Sequence, residues 1–200
     1  MRRSKKTVFF LAGFVLSAIM LVSIVRMSDK GVFTKNRFAA QFKGFEEVGG
    51  EAMFPSFVLH DLQGNTVVTD SLLGNDFVLV NIWASWCAPC IAEMPTLRAL
   101  EESFAEHAFK VIYISLDYPQ GPDDLKDTMK MFSLEDIPSY YVEDKGVWPS
   151  LSIKGLPTTF LVSPEKRSMY KMLGDTNWKS SGTISFLTSV LYPDETAKKQ

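Results

Sequence analysis

Cysteine and histidine are almost absent from this 200-residue chain, which contains two of each. A structural zinc site needs about four soft ligands at paired spacings. His60 and His107 sit in unrelated segments and supply no such pattern around Cys87 and Cys90. Covalent c-type haem attachment needs histidine directly after the second cysteine, where this chain has Ile91. With only two residues between the cysteines, a disulfide there restricts the unfolded chain very little and makes a poor structural staple. No thiol is left for any other bridge. A surplus of positive charge is missing too. The formal net charge is −2, and beyond residue 30 the chain holds 15 basic and 22 acidic side chains. That mildly acidic body argues against nucleic acid as a partner.

What is present is a dithiol at a strand-to-helix junction. The run Phe77-Val78-Leu79-Val80-Asn81-Ile82-Trp83 has the length and the β-branched and aromatic content of a buried strand, and a helical pattern starts after Trp86. Cys87 then falls at the first turn, where unpaired backbone N–H groups and the positive end of the helix dipole favour a thiolate. Cys87 is the expected nucleophile. Cys90 follows three residues on and shares its helical face, as the more shielded, resolving thiol. Pro89 belongs in the first helical turn, where its missing N–H costs nothing and its fixed φ stiffens the loop. Glu93 lies one turn beyond Cys90 on the same face. If buried, its carboxyl has a raised pKa and can take the Cys90 proton during resolution.

The head of the chain reads Met1-Arg2-Arg3-Ser4-Lys5-Lys6, then Val8 to Val25 without a charge. Such a run makes about 27 Å of helix at a rise of about 1.5 Å per residue, the low end of a membrane span. No small-x-small cleavage site follows it and no cysteine near it can carry a lipid, so an uncleaved signal anchor is expected over residues 1–27. The basic tip holds the N-terminus in the cytoplasm and sends the rest of the chain outward. Residues 28–50, with Phe33, Phe38, Phe42 and Phe45, read as a linker containing a short helix from Thr34 to Phe45. Residues 51–192 read as one domain, and 193–200 as a flexible tail.

Within that domain the pattern opens on a hairpin around Gln63-Gly64-Asn65. Asp70 or Ser71 is expected to cap a short turn ending at Gly74. After the dithiol helix, expected to reach about Glu106, come a strand from Phe109 to Leu116 and a helix from Asp123 or Asp124 to Phe132. A strand from Leu134 to Val142, a strand after Gly155, its partner from Ser168 to Leu173 and a helix from Thr176 to Leu191 complete the chain. Strands alternating with helices imply an α/β sandwich with a central mixed sheet.

Trp86-Cys87-Ala88-Pro89-Cys90 and, far downstream, Gly155-Leu156-Pro157-Thr158-Thr159-Phe160 together resemble the active-site and cis-proline motifs of the thioredoxin superfamily, in its membrane-anchored extracytoplasmic TlpA, ResA and CcmG/DsbE branch. The resemblance covers roughly residues 50 to 192. It implies a thioredoxin-like fold with an N-terminal hairpin extension and an inserted segment over residues 117–155. It implies also that Pro157 is a cis-proline beside the dithiol, and that Leu156, Pro157, Thr158 and Trp86 contact the client. Trp86 is expected to shield one side of the site. The branch places an acid at Glu93 and implicates it in proton transfer. Asn81 stands where thioredoxin itself has a buried aspartate, so the titratable role passes to Glu93. Leu173-Gly174-Asp175-Thr176-Asn177-Trp178 resembles the Gly-x-x-x-Trp turn of TlpA, the subgroup closest on these motifs.

The activity implied is thiol-disulfide exchange that reduces a client disulfide and needs no metal or organic cofactor. The clients implied are a copper chaperone, the copper subunit of cytochrome oxidase, or apocytochrome c. A membrane electron donor re-reduces the pair. Competing readings are a disulfide oxidase or isomerase on the same scaffold, a peroxidase, and a non-catalytic copper-carrying module. The peroxidase lacks a separate peroxidatic thiol here. Copper carriers of the Sco type use Cys-x-x-x-Cys with a distant histidine, whereas this pair is separated by two residues.

Overall fold

A computed structural model describes residues 44–48, 52–117 and 122–193. Among these, the chain forms β1 (Phe45–Glu47), β2 (Val58–Asp61), β3 (Thr66–Val68), α1 (Thr69–Leu73), β4 (Phe77–Trp83) and α2 (Ala88–Ser103). There follow β5 (Phe109–Ser115), α3 (Pro122–Met131), β6 (Ser139–Tyr141), α4 (Val147–Ser150), β7 (Thr158–Val162), β8 (Ser168–Leu173) and α5 (Ser181–Leu191). The strands make one eight-stranded sheet in the order β1-β8-β7-β4-β5-β6-β2-β3. β4 runs parallel to β5 and antiparallel to β7, so the sheet is mixed.

β4 is apolar along its length because both of its faces are covered. Leu79 and Trp83 point into a core shared with Met94, Leu97 and Leu100 of α2 and Phe186, Leu187 and Leu191 of α5. Val78, Val80 and Ile82 point the other way, toward Leu73 of α1 and Val147 and Leu151 around α4. Asn81 is the exception in this run, a polar side chain fully buried on the α2 face.

Several boundaries differ from the sequence pattern. Pro138 interrupts the apolar run from Leu134, and only Ser139–Tyr141 pairs as strand, while Leu134 and Ile137 still fill the core. α2 stops at Ser103, where Phe104 and Ala105 tighten into bonds to Glu101 and Glu102. No side chain caps α1: Ser71 Oγ turns back to Val68 O at 2.7 Å, and Gly74 ends the turn at φ 59°. The last helix begins at Ser181 rather than Thr176, with Ser180 Oγ accepting from Thr183 N, and the segment before it delivers Trp178 into the core.

The largest difference lies in the stretch read as linker. Its expected helix from Thr34 lies, but for the final residues, outside the described residues, as does the expected anchor over residues 1–27. Among the described residues no helix is long and apolar enough to cross a membrane. Phe45 opens an edge strand, Phe45 opposite Met172 and Glu47 opposite Tyr170. Its ring stacks on Phe186 at 4.9 Å and meets Tyr170 and Trp178 edge-on at 6.3 and 5.9 Å. A three-residue strand carries too little pattern to be read from sequence, yet it closes the apolar core.

Phe45→Ala therefore empties a packed aromatic site, and an unfolding titration should show a loss of about 3 kcal/mol. A fragment beginning at residue 50 should be destabilised in the same direction, because it lacks β1 altogether.

Candidate active site

Cys87 and Cys90 are joined in a disulfide with their Cα atoms 5.3 Å apart. Cys87 occupies the cap position of α2, its N–H bonded to Ala84 O and its carbonyl accepting from Ile91 N. Pro89 is the second residue of the helix, so no backbone bond is lost to it. Cys90 is fully buried and Cys87 nearly so. Trp86 stands 66% exposed. It is therefore not a packed core aromatic, and its side chain is largely in solvent one residue before Cys87.

The loop between β4 and Cys87 is latched from β5. Buried Asp117 accepts from Ser85 N at 2.7 Å and from Ser85 Oγ at 2.8 Å, and Ser115 Oγ lies 2.5 Å from the same carboxylate. These bonds fix Ser85 two residues before the first cysteine. In the sequence Asp117 looks like the start of a turn after a strand, and only the parallel pairing of β4 with β5 brings it to Ser85.

Glu93 is 4% exposed on the inner face of α2. Its carboxylate meets N–H donors from two other parts of the chain. Asn81 Nδ2 donates to Oε1 at 2.8 Å, Trp178 Nε1 to Oε2 at 2.9 Å, and Thr176 N to Oε2 at 3.3 Å. Asn81 Nδ2 also donates to Thr159 Oγ1 at 2.9 Å, tying β4, α2 and β7 together. Burial pushes the Glu93 carboxyl up to about 7, with the three donors pulling the other way and the Asp175 charge adding to the rise. Asn81 Oδ1 and, one strand over, Tyr113 Oη are buried without hydrogen-bond partners among the described residues. Sequence pattern alone does not assign Trp178 to this site. Its motif is visible, but its partner lies 85 residues away.

The Leu156–Pro157 peptide bond is cis. Thr158 pairs opposite Ile82, so the preceding loop lies at the end of β4 from which the dithiol segment departs. Pro157 O accepts from Gly174 N at 2.9 Å, and Thr158 Oγ1 donates to Gly155 O at 2.7 Å. Thr158 is fully buried, so its side chain supports the loop and does not face a client, contrary to its expected role. Leu156 is half-buried. His60, in β2, stacks on Tyr141. Among the described residues no group of three or more His, Cys, Asp or Glu side chains is placed to hold a metal ion.

Residues 51–170 match the family model described as AhpC/TSA family. A thiol-disulfide oxidoreductase ResA of Bacillus cereus is 30% identical over 64% of this chain and 71% of its own length. Thiol-disulfide oxidoreductase ResA of Bacillus subtilis is 24% identical over 92% of this chain and 96% of its own. The crystal structure of a thiol:disulfide interchange protein DsbE from Chlorobium tepidum superposes with a TM-score of 0.61 at 20% identity, over 73% of this chain and 98% of that one. At that identity the likeness concerns the fold, and it supports the thioredoxin-like architecture.

The raised Glu93 carboxyl links stability to pH with a definite sign. The folded protein holds this proton up to about pH 7, whereas the unfolded chain releases it near 4.5. The stabilisation is fully present below the lower value and is lost as pH rises through the upper one, a change of about 3 kcal/mol. Unfolding free energies of the oxidised protein minus those of Glu93→Gln should fall across that window and level off above it.

Proposed function

The chain belongs to the AhpC/TSA family and is a thiol-disulfide oxidoreductase of the ResA type, and on that premise we propose that it is a membrane-anchored extracytoplasmic reductase of disulfides in proteins awaiting haem or copper. The observation that carries this reading is the Cys87–Cys90 disulfide at the start of a helix that holds a buried acid one turn further on. Reduced Cys87, as thiolate, attacks one sulfur of the client disulfide. A Cys87–client bond forms and the second client sulfur leaves as thiolate. Cys90 gives its proton to Glu93 and attacks Cys87 Sγ, which forms the intramolecular disulfide and expels the first client sulfur. The client gains two electrons and the enzyme loses them.

The exposed Trp86 and the half-buried Leu156 fit a client segment lying across the cis-proline loop. Asn81 and Pro89 support the site without reacting. The uncharged run from Val8 to Val25, behind its basic tip, supports a single span in the inner membrane with the catalytic domain on the periplasmic side. Anchoring there brings the oxidised pair within reach of a membrane electron donor. Among the clients that the family resemblance implies, we place apocytochrome c ahead of a copper chaperone or the copper subunit of cytochrome oxidase, because the resemblance implies that client for ResA and two relatives carry that name.

Cys90→Ser should trap a mixed disulfide through Cys87, identifiable by mass spectrometry, while Cys87→Ser should trap none. A c-type apocytochrome in the trapped species supports the proposal, and a copper-site protein redirects it. Fully oxidised Cys87–Cys90 recovered only as a donor of disulfides to reduced proteins contradicts the reductase direction. Glu93→Gln should slow the resolving step by roughly 10²-fold near neutral pH.

A further inference from the structure

We propose that Trp178 is a positioning residue for the exchange reaction, its indole N–H fixing the Glu93 carboxylate one helical turn beyond Cys90 while the first strand of the sheet wedges the indole in place. The indole is fully buried, and its single donor is directed at Oε2 at 2.9 Å. Its ring cannot turn away freely, because Phe45 lies against it at 5.9 Å and Phe45 is itself stacked on Phe186. The same segment supplies Thr176 N to the same oxygen, so the turn before α5 holds Oε2 with two donors. Oε1 has one amide donor, Asn81 Nδ2.

The three groups bonded to the carboxylate are all donors. An indole N–H and a backbone N–H cannot accept a proton from a carboxylic acid, so the geometry favours the ionised form while burial favours the neutral one. Trp178 tips that balance toward ionisation. Other titratable and charged groups facing the site are Asp175 from the turn before α5, which opposes ionisation, and Tyr113 from β5. Tyr113 in turn faces Glu101 and Arg98 of α2. Cys90 shares the helix. None of these donates a hydrogen bond to Glu93, so the indole is the side-chain donor to Oε2 on which the ionised form depends.

The inference rests on the role proposed for Glu93, but its test reads the carboxyl group directly. In the full-length oxidised protein, infrared spectroscopy with isotope-labelled glutamate follows the Glu93 carboxyl band, identified by its loss in Glu93→Gln. Trp178→Phe keeps an aromatic ring and removes the N–H. The midpoint should move upward by about one pH unit, the effect of one hydrogen bond to a charged group. An unchanged midpoint overturns the proposal. A second measurement needs no variant at this position. In the wild type, the Trp178 indole N–H resonance, recognised by the ring's contact with Phe45, should titrate with the Glu93 midpoint, and a resonance flat from about pH 5 to 9 overturns the proposal as well. Because neither measurement involves turnover, both can succeed even where Glu93→Gln leaves the exchange rate unchanged, a result that would count against the proton-transfer role alone.

Discussion

The arrangement of this molecule depends on a carboxylate buried one helical turn beyond a disulfide. Glu93 is kept from water by α2 and the sheet, yet it receives donors from Asn81, Trp178 and Thr176. Burial alone would hold the group neutral, and the donors alone would hold it ionised. With both acting, its proton is held to about pH 7, where it can be passed in either direction at modest cost. The proton-transfer role proposed for Glu93 requires such a poise.

The sheet makes that poise possible. β4 supplies Asn81 from its middle and ends where the dithiol loop begins, while β7 supplies Thr159 beside Asn81 and is preceded by the Pro157 loop. β5 leads into Asp117, which latches Ser85. Each group stands on, or immediately beyond, a strand covered on both faces, so packing of the core and geometry of the site are one constraint. β1 extends this to the chain's entry into the domain, since Phe45 braces the indole that binds Glu93.

The parts of the site that are local in sequence are legible there. The strand from Phe77, the helix after Trp86 and the Cys-x-x-Cys spacing place Cys87, Pro89, Cys90 and Glu93 by helix geometry alone. The cis-proline loop comes from resemblance between motifs rather than from periodicity. What escapes a reading of the sequence is non-local or short. Trp178 and Asp117 gain their meaning from residues 85 and 32 positions away, joined by strand pairing that no period reveals. β1 has three residues, too few for alternation to show. Thr158 reads as a surface contact because the family resemblance implies client contact for its motif, although its strand position turns its hydroxyl inward to Gly155.

The most direct test of the link between Glu93 and the dithiol is the reduction potential of the Cys87–Cys90 couple measured against pH in the wild type and in Glu93→Gln. Conversion of the disulfide to a thiol and a thiolate places new negative charge near Glu93 and should make it hold its proton to higher pH. Above about pH 7, where the oxidised protein has released that proton, reduction should take up an additional one. The wild-type potential should then fall more steeply with pH than that of the variant. Parallel curves across that range would contradict a proton shared between the acid and the thiols.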